Sequence, residues 1–284
     1  MNKKIIITFL LLKSISCWAG CKVESTSFQL IDPIDQKPWQ IVAKAYRPET
    51  KLHFKFPIVF VLPTIIGETI LERKLAQSLC RRGMGAYVLN LVKVDSFEDQ
   101  ITNLNIHDDL YVRALAGIRH IISKLQNDPK TSGKFGIIGA SQGGMISTFI
   151  AGSEPLIKSS VVIVAGGNVS AILAYSDQKG VKKQRLARMK YFGITNQADY
   201  EQLLKNKIPH DPISVANQIL PGSLYFFLGT QDKTVPTRFQ QQLKDKIPEP
   251  LVFEMRASHL EGVIKATTIH FNKISRFFLN RFNQ

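Results

Sequence analysis

Residues 134–153, KFGIIGASQGGMISTFIAGS, constrain this chain more than any other stretch. Phe135, Ile137 and Ile138 form the continuous apolar run of a buried strand, and Met145, Ile146, Phe149 and Ile150 then recur at helical spacing. Between the two periods stands Gly-Ala-Ser-Gln-Gly, a G-x-S-x-G at residues 139–143. A serine on a sharp strand-to-helix turn needs glycine on both sides, because side chains there collide where strand and helix converge. Ser141 is therefore expected as an exposed hydroxyl at a helix N-terminus, where backbone N–H groups and the helix dipole favour negative charge on a substrate oxygen. A glycine-rich loop that only packs closely would share the pattern, so the rest of the chain decides between the two.

Around this stretch, apolar strands alternate with amphipathic helices. Ser27–Ile31 and Trp39–Tyr46 read as two edge strands joined across Asp32-Pro33 and Pro38. Pro57–Leu62 reads as a fully buried strand, followed by the loop Pro63–Gly67, a helix over 68–82 stopped by Gly83 and Gly85, and a strand over Ala86–Leu91. Asp108 and Asp109 open a long helix whose stripe is Leu115, Ile118, Ile122 and Leu125. His107 and His120 lie off that stripe and are expected at the surface. Val161–Ala165 gives another buried strand, and then the alternation breaks. Residues 167–212 are polar and basic, with Lys179, Lys182, Lys183, Arg185, Arg188 and Lys190 and one short helix near 198–205. Their position suggests a cap inserted over the C-terminal edge of the sheet, the alternative being a solvated excursion. The strand pattern resumes at Ser223–Leu228 and Leu251–Met255, with a helix up to Lys246 between them. A closing helix carries Ile264, Phe271, Ile274 and Phe278 on one face. Such an order implies a mostly parallel central sheet with helices on both faces.

Asp232 and His259 each follow one of these parallel strands directly, as Ser141 does, so all three gather along the C-terminal edge where open α/β sheets bind ligands. A serine hydroxyl is a poor nucleophile until an imidazole takes its proton, and that imidazole needs a carboxylate to fix its tautomer. Alone, Asp232 would be a turn residue and His259 a loop histidine. Together with the serine turn, in the order Ser, Asp, His, they are better explained as a catalytic triad. His210-Asp211 lacks further ligands at metal spacing, which makes His210 a turn residue before Pro212, and no HExxH, paired CxxC or GxxxxGK[ST] occurs.

At these residues the sequence resembles the α/β-hydrolase superfamily, from about Pro57 to the C-terminus. GASQGG resembles its nucleophile turn, LGTQDKTVP its acid turn and ASHLEG its histidine loop. LPTIIG followed by LAQSLCRRGMGAYVLNL is similar to the dienelactone hydrolase branch, and DPISVANQILPGSLYFFLGTQD to branches related to prolyl oligopeptidases. The resemblance implies the α/β-hydrolase fold, chemistry without a cofactor or metal, and an oxyanion hole made by the backbone N–H groups of Gln142 and Ile65. Dienelactone hydrolases carry a cysteine nucleophile and a glutamate in the oxyanion loop, whereas Ser141 and Thr64 stand here, which argues against dienelactone as the substrate. No β-propeller is present to restrict access to peptides.

With 284 residues and 44% hydrophobic content, the chain suffices for one large domain. Lys3 and Lys4, the apolar run Ile5–Leu12, and the small residues Ala19 and Gly20 read as a secretory signal peptide over 1–20, leaving 21–284 as the hydrolase domain with its 167–212 insertion. The expected location is the periplasm or the exterior. Trp18-Ala19-Gly20-Cys21 also resembles a lipoprotein signal, so an anchor through Cys21 is the alternative. Cys21 and Cys80 either form one bridge or leave a buried free thiol in the helix. The formal net charge is +15, and removal of Lys3, Lys4 and Lys13 lowers it by three. Scattered lysines without a recognised motif argue against nucleic acid and for acidic substrates or peripheral contact with an anionic envelope surface. These features converge on an exported serine hydrolase acting on a small-molecule ester or thioester, anionic ones included. The competing expectations are a peptidase or amidase and a non-catalytic envelope-binding protein on the same scaffold.

Overall fold

Apolar runs too continuous for a half-exposed strand place four strands in the middle of the fold, where both faces are covered. The computed structural model describes residues 20–49, 55–64, 67–91 and 97–284. In chain order its elements are β1 (Gly20–Ile31), β2 (Pro38–Glu49), β3 (Phe56–Leu62), α1 (Ile70–Cys80), β4 (Gly85–Leu89), α2 (Phe97–Thr102), α3 (Ile106–Leu125), β5 (Thr131–Ala140), α4 (Gln142–Ser153) and β6 (Ile157–Ile163). Then follow α5 (Val169–Tyr175), α6 (Lys179–Tyr191), α7 (Gln197–Lys205), α8 (Pro212–Val215), β7 (Leu224–Gly229), α9 (Thr237–Lys244), β8 (Leu251–Met255), α10 (His259–Thr267) and α11 (Phe271–Phe282). The strands form one sheet in the order β1-β2-β4-β3-β5-β6-β7-β8. The pairs β1–β2 and β2–β4 are antiparallel and every other pair is parallel. Residues 1–19, expected as a signal peptide, and Ile65, expected as an oxyanion-hole donor, lie outside the described residues.

Two cores sandwich this sheet. On one face Phe60, Phe135 and Ile137 pack with Ile118, Ile122, Phe149 and Ile150 of α3 and α4, together with α5 and α9. On the other, Val59, Val61, Ile138 and Val161 pack with Leu75 and Leu79 of α1 and Ile274 and Phe278 of α11. The side chains of a parallel strand alternate between faces, so a strand buried on both reads as unbroken apolar sequence.

Three details depart from the sequence expectation. The N-terminal hairpin is longer than Ser27–Ile31 and Trp39–Tyr46, and only β1 is an edge, since β2 pairs with β4 on its other side. Its turn is fixed from beneath: Asp32 is fully buried, and its two carboxylate oxygens share the Arg113 Nε–H of α3, at 3.1 and 2.9 Å. The closing helix is two helices, interrupted at 268–270, which leaves Ile264 exposed on α10 while Ile274 and Phe278 are buried on α11.

Cys21 of β1 and Cys80, the last residue of α1, form a disulfide with Cα atoms 6.0 Å apart across a sequence separation of 59. Helix α1 contributes to the pocket described below, so the bridge ties a wall of that pocket to the sheet edge. Closing so long a loop should stabilise the fold by about 4 kcal/mol in the chain-entropy model. Urea unfolding of Cys21→Ala/Cys80→Ala is expected to show a loss of that order. A loss near zero would mean that the β1–β2 pairing already supplies all the restraint.

Candidate active site

The turn at Ser141 follows from the contact between β5 and α4. A Cβ on Gly139 would lie 2.2 Å from the Gly143 carbonyl oxygen, and one on Gly143 would lie 2.4 Å from Pro63 O and 2.5 Å from Leu62 O. Only hydrogen fits at either position. Ser141 between them adopts φ 53° and ψ −124°, a left-handed conformation that a non-glycine residue rarely occupies. Its own N–H donates to Ile163 O of β6 at 2.9 Å, and its carbonyl accepts from Met145 N at 2.9 Å. Both ends of the strained residue are thereby held, and the side chain is directed out of the sheet.

The structure brings the three residues expected from sequence together. His259 Nε2 is 2.9 Å from Ser141 Oγ, and His259 Nδ1 is 2.7 Å from Asp232 Oδ2. Asp232 is buried after β7, with Oδ1 accepting the Thr234 and Val235 N–H groups at 2.8 and 3.0 Å. The hydrogen bond to Asp232 makes Nδ1 the donor and leaves Nε2 free to accept from Ser141. His259 is the first residue of α10, whose N-terminus is set by a capping box between Ser258 and Glu261.

Gln240 was not legible in the sequence. Fully buried on α9, its amide donates to Asp232 Oδ2 at 2.9 Å and to Val235 O at 2.8 Å, and its Oε1 accepts from Gly229 N at 3.0 Å. It donates to Oδ2, the same oxygen that His259 Nδ1 contacts, so both side chains hold the carboxylate through one atom. A glutamine in a polar helix carries no pattern that reveals this. Gln142 is the first residue of α4, where a backbone N–H has no acceptor within the helix, which leaves it available to an oxyanion.

Ser141 and His259 open into a cavity of about 540 Å³, lined mainly by apolar side chains that include Leu71, Leu110, Tyr111, Met145, Ile172, Leu173 and Val263. Helices α5 and α6 of the insertion form part of its wall. Two interior staples hold that cap. The Asp211 carboxylate accepts the N–H groups of Asn168 and Val169, at 3.1 and 2.5 Å, and so joins the two ends of the excursion. Arg188 is fully buried on α6 and donates to Gln100 O at 2.8 Å and Asn103 O at 3.2 Å. Arg185 is buried as well and donates to Ser176 O at 3.1 Å. The six cations therefore do not form one solvated cluster. Two arginines saturate backbone carbonyls inside the cap, because guanidinium offers several donors to oxygens that the irregular chain leaves unpaired.

His107 also departs from expectation. It stands one turn before Tyr111, so the buried stripe of α3 reaches back to it, and its ring lines the cavity. Its Nε2 is buried without a hydrogen-bond partner. Burial, and then the Arg188 charge, push this imidazole down from 6.5 to about 3. His120 is half-buried farther along α3, and His210 Nδ1 contacts Asp108 Oδ2 at 2.9 Å, which fastens the end of the cap to α3. Among the described residues no group of three or more His, Cys, Asp or Glu is placed to hold a metal ion.

A family model described as BAAT / Acyl-CoA thioester hydrolase C terminal matches residues 119–248, under half of the chain. A sequence search among curated proteins finds no match. Among solved structures, an acetyl xylan esterase from Paenibacillus sp. R4 superposes with a TM-score of 0.68 at 13% identity, covering 90% of this chain and 88% of that one. Acetyl xylan esterase 1 from Thermoanaerobacterium sp. JW/SL YS485 gives 0.69 at 16%, covering 93% and 88%. The acylaminoacyl peptidase of Pyrococcus horikoshii gives 0.66 at 18%, covering 91% of this chain but 42% of that one. The chain shares its fold with these hydrolases, and residues 119–248 are similar to the thioester-hydrolase family.

The neutral His107 makes a testable contribution to stability. Between pH 6.5 and about 3 the unfolded chain binds a proton at this imidazole that the folded protein excludes, so stability falls as pH drops through that window. The slope from one such group reaches about 1.4 kcal/mol per pH unit. Urea unfolding at pH 7 and pH 4.5 should show a loss about 2 kcal/mol smaller for His107→Asn than for the wild type. Equal losses would mean that His107 takes up its proton in the folded state.

Proposed function

We propose that the protein is a serine hydrolase that cleaves carboxylic esters or thioesters through a covalent acyl-enzyme. The observation that carries this is the unbroken hydrogen-bonded chain from Ser141 Oγ through both nitrogens of His259 to Asp232, opening into an apolar cavity. Ser141 Oγ attacks the carbonyl carbon as His259 Nε2 takes its proton, and the carbonyl oxygen becomes an oxyanion. The Gln142 N–H at the start of α4 stabilises that charge, with Ile65 as the second donor expected from the superfamily resemblance. His259 returns the proton to the departing alcohol or thiol, then activates water to release the acid from Ser141. Asp232 orients the imidazole through Oδ2, and Gln240 holds the carboxylate in position. The acyl portion lies against the apolar wall, which suits esters with hydrocarbon or aromatic groups better than free peptides. The family-model match to thioester hydrolases supports including thioesters.

The test is kinetic. Ser141→Ala, Asp232→Asn and His259→Ala are each expected to lower kcat on p-nitrophenyl esters by about four orders of magnitude while the protein stays folded. The double change at Ser141 and His259 should cost little more than either single one, since the residues act as a unit. Hydrolysis of aminoacyl anilides faster than of esters would turn the assignment to an amidase.

Export is part of the same proposal. The Cys21–Cys80 bridge supports it, because disulfides persist in oxidising compartments. A bridged Cys21 also has no thiol left for a lipid anchor. N-terminal sequencing of the native protein is expected to find a mature end near Gly20 or Cys21. Recovery with Met1–Leu12 intact would contradict export through this segment, and an acylated Cys21 would replace the bridge with an anchor.

A further inference from the structure

Leu71 of α1, Val181 and Lys183 of α6 and Leu260 of α10 line the cavity near the starts of these helices. Large aliphatic side chains at or beside these residues are exposed. Leu260, which follows the triad histidine, is 66% exposed; Ile264, one turn later on α10, is 42% exposed; Ile70, the first residue of α1, is 58% exposed. A lone exposed leucine needs no explanation, whereas Leu260 lines the pocket itself and Ile70 and Ile264 adjoin its lining residues Leu71 and Val263 in sequence, so apolar exposure gathers beside one apolar pocket. Helix α10 shows the inversion plainly: Val263 and Ala266 meet the core, while Leu260 and Ile264 meet solvent.

Beside this rim α6 turns a basic face outward. Lys179, Lys182 and Lys190 are exposed along it, with Leu186 among them at 54% exposure, while Arg185 and Arg188 are turned inward. Carboxylates near the rim are partly neutralised. Glu261 pairs with Lys265 at 2.6 Å, and Glu72 is buried in the capping box with Thr69. Asp177 is exposed just before α6. The surroundings are thus apolar at the centre and cationic at the flank, on a chain of formal charge +15.

We propose that the mouth of the pocket docks on an anionic lipid surface, with Ile70, Leu260 and Ile264 entering the headgroup boundary and Lys179 and Lys182 meeting lipid phosphates. Apolar insertion and electrostatic attraction are each weak alone and add when they act at one face. In that orientation an amphiphilic ester passes from the lipid into the apolar cavity without crossing water. This names the substrate class of the Ser141 site and so rests on the hydrolase assignment, although docking itself does not require catalysis.

The experiment is co-sedimentation of the full protein with vesicles of phosphatidylcholine, with and without about a third phosphatidylglycerol to supply the lipid charge. All variants share one N-terminus, so differences among them report the mouth. Ile70→Ser/Ile264→Ser should weaken binding to the anionic vesicles by roughly tenfold. Lys179→Gln/Lys182→Gln should weaken it several-fold at low salt, a difference that about 0.5 M salt removes. None of these four positions lines the cavity, so hydrolysis of water-soluble p-nitrophenyl acetate should be unchanged in both variants. Ser141→Ala should bind vesicles as the wild type does while losing that hydrolysis. Equal binding to both vesicle types, or variants that bind like the wild type, would overturn docking. Retained hydrolysis in Ser141→Ala would overturn the hydrolase assignment and leave the docking result standing.

Discussion

The approach of β5 to α4, main chain against main chain, governs the rest of this structure. Gly139 and Gly143 stand where any side chain would meet a backbone oxygen within 2.5 Å, so strand and helix join through one residue only. That residue, Ser141, takes a left-handed conformation whose cost is of order 1–3 kcal/mol and is offset by packing on both sides. Phe135, Ile137 and Ile138 of β5 and Ile146, Phe149 and Ile150 of α4 are almost wholly buried. The strain and the chemistry have one origin: the bend that burdens the backbone also exposes the hydroxyl and sets free amides beside it.

The acid and the base are supplied by the same topology. In a parallel sheet every strand ends at the same edge, so turns after β5, β7 and β8 converge without needing nearness in sequence. Asp232 then needs restraint, because a buried carboxylate without donors is costly. Thr234, Val235, Gln240 and His259 supply it. The cap is restrained by different means. Its α5 and α7 bury Val169, Ile172, Leu173, Tyr200 and Leu204 in the core, whereas α6 is held largely by buried arginines bonded to carbonyl oxygens, with Asp211 across the base of the cap.

How much was legible follows from these differences. Strands β3, β5, β6 and β7 could be read because burial on both faces removes polar residues from them, and the triad because each member follows a parallel strand. Strand β8, by contrast, is a largely exposed edge strand read from its short apolar run. Helices α5 and α6 were not readable. Lys179–Tyr191 is rich in cations, and nothing in a run of lysine and arginine tells which guanidinium will find carbonyls and which will meet water. His107 was misjudged because the stripe of α3 was started at Leu115, one helical turn after Tyr111, whose burial carries the inner face back to the helix start. Gln240 left no trace, since its role depends on a partner that meets it only through the fold. Ile65, named from the resemblance alone, lies outside the described residues.

The central claim is that Ser141 is a nucleophile activated by His259, and covalent capture tests it most directly. Intact-protein mass spectrometry after exposure to a small fluorophosphonate should show one adduct per chain, located by peptide mapping at Ser141. The rate of capture should collapse in His259→Ala and vanish in Ser141→Ala. An adduct at another residue, or capture in His259→Ala at the wild-type rate, would contradict the account.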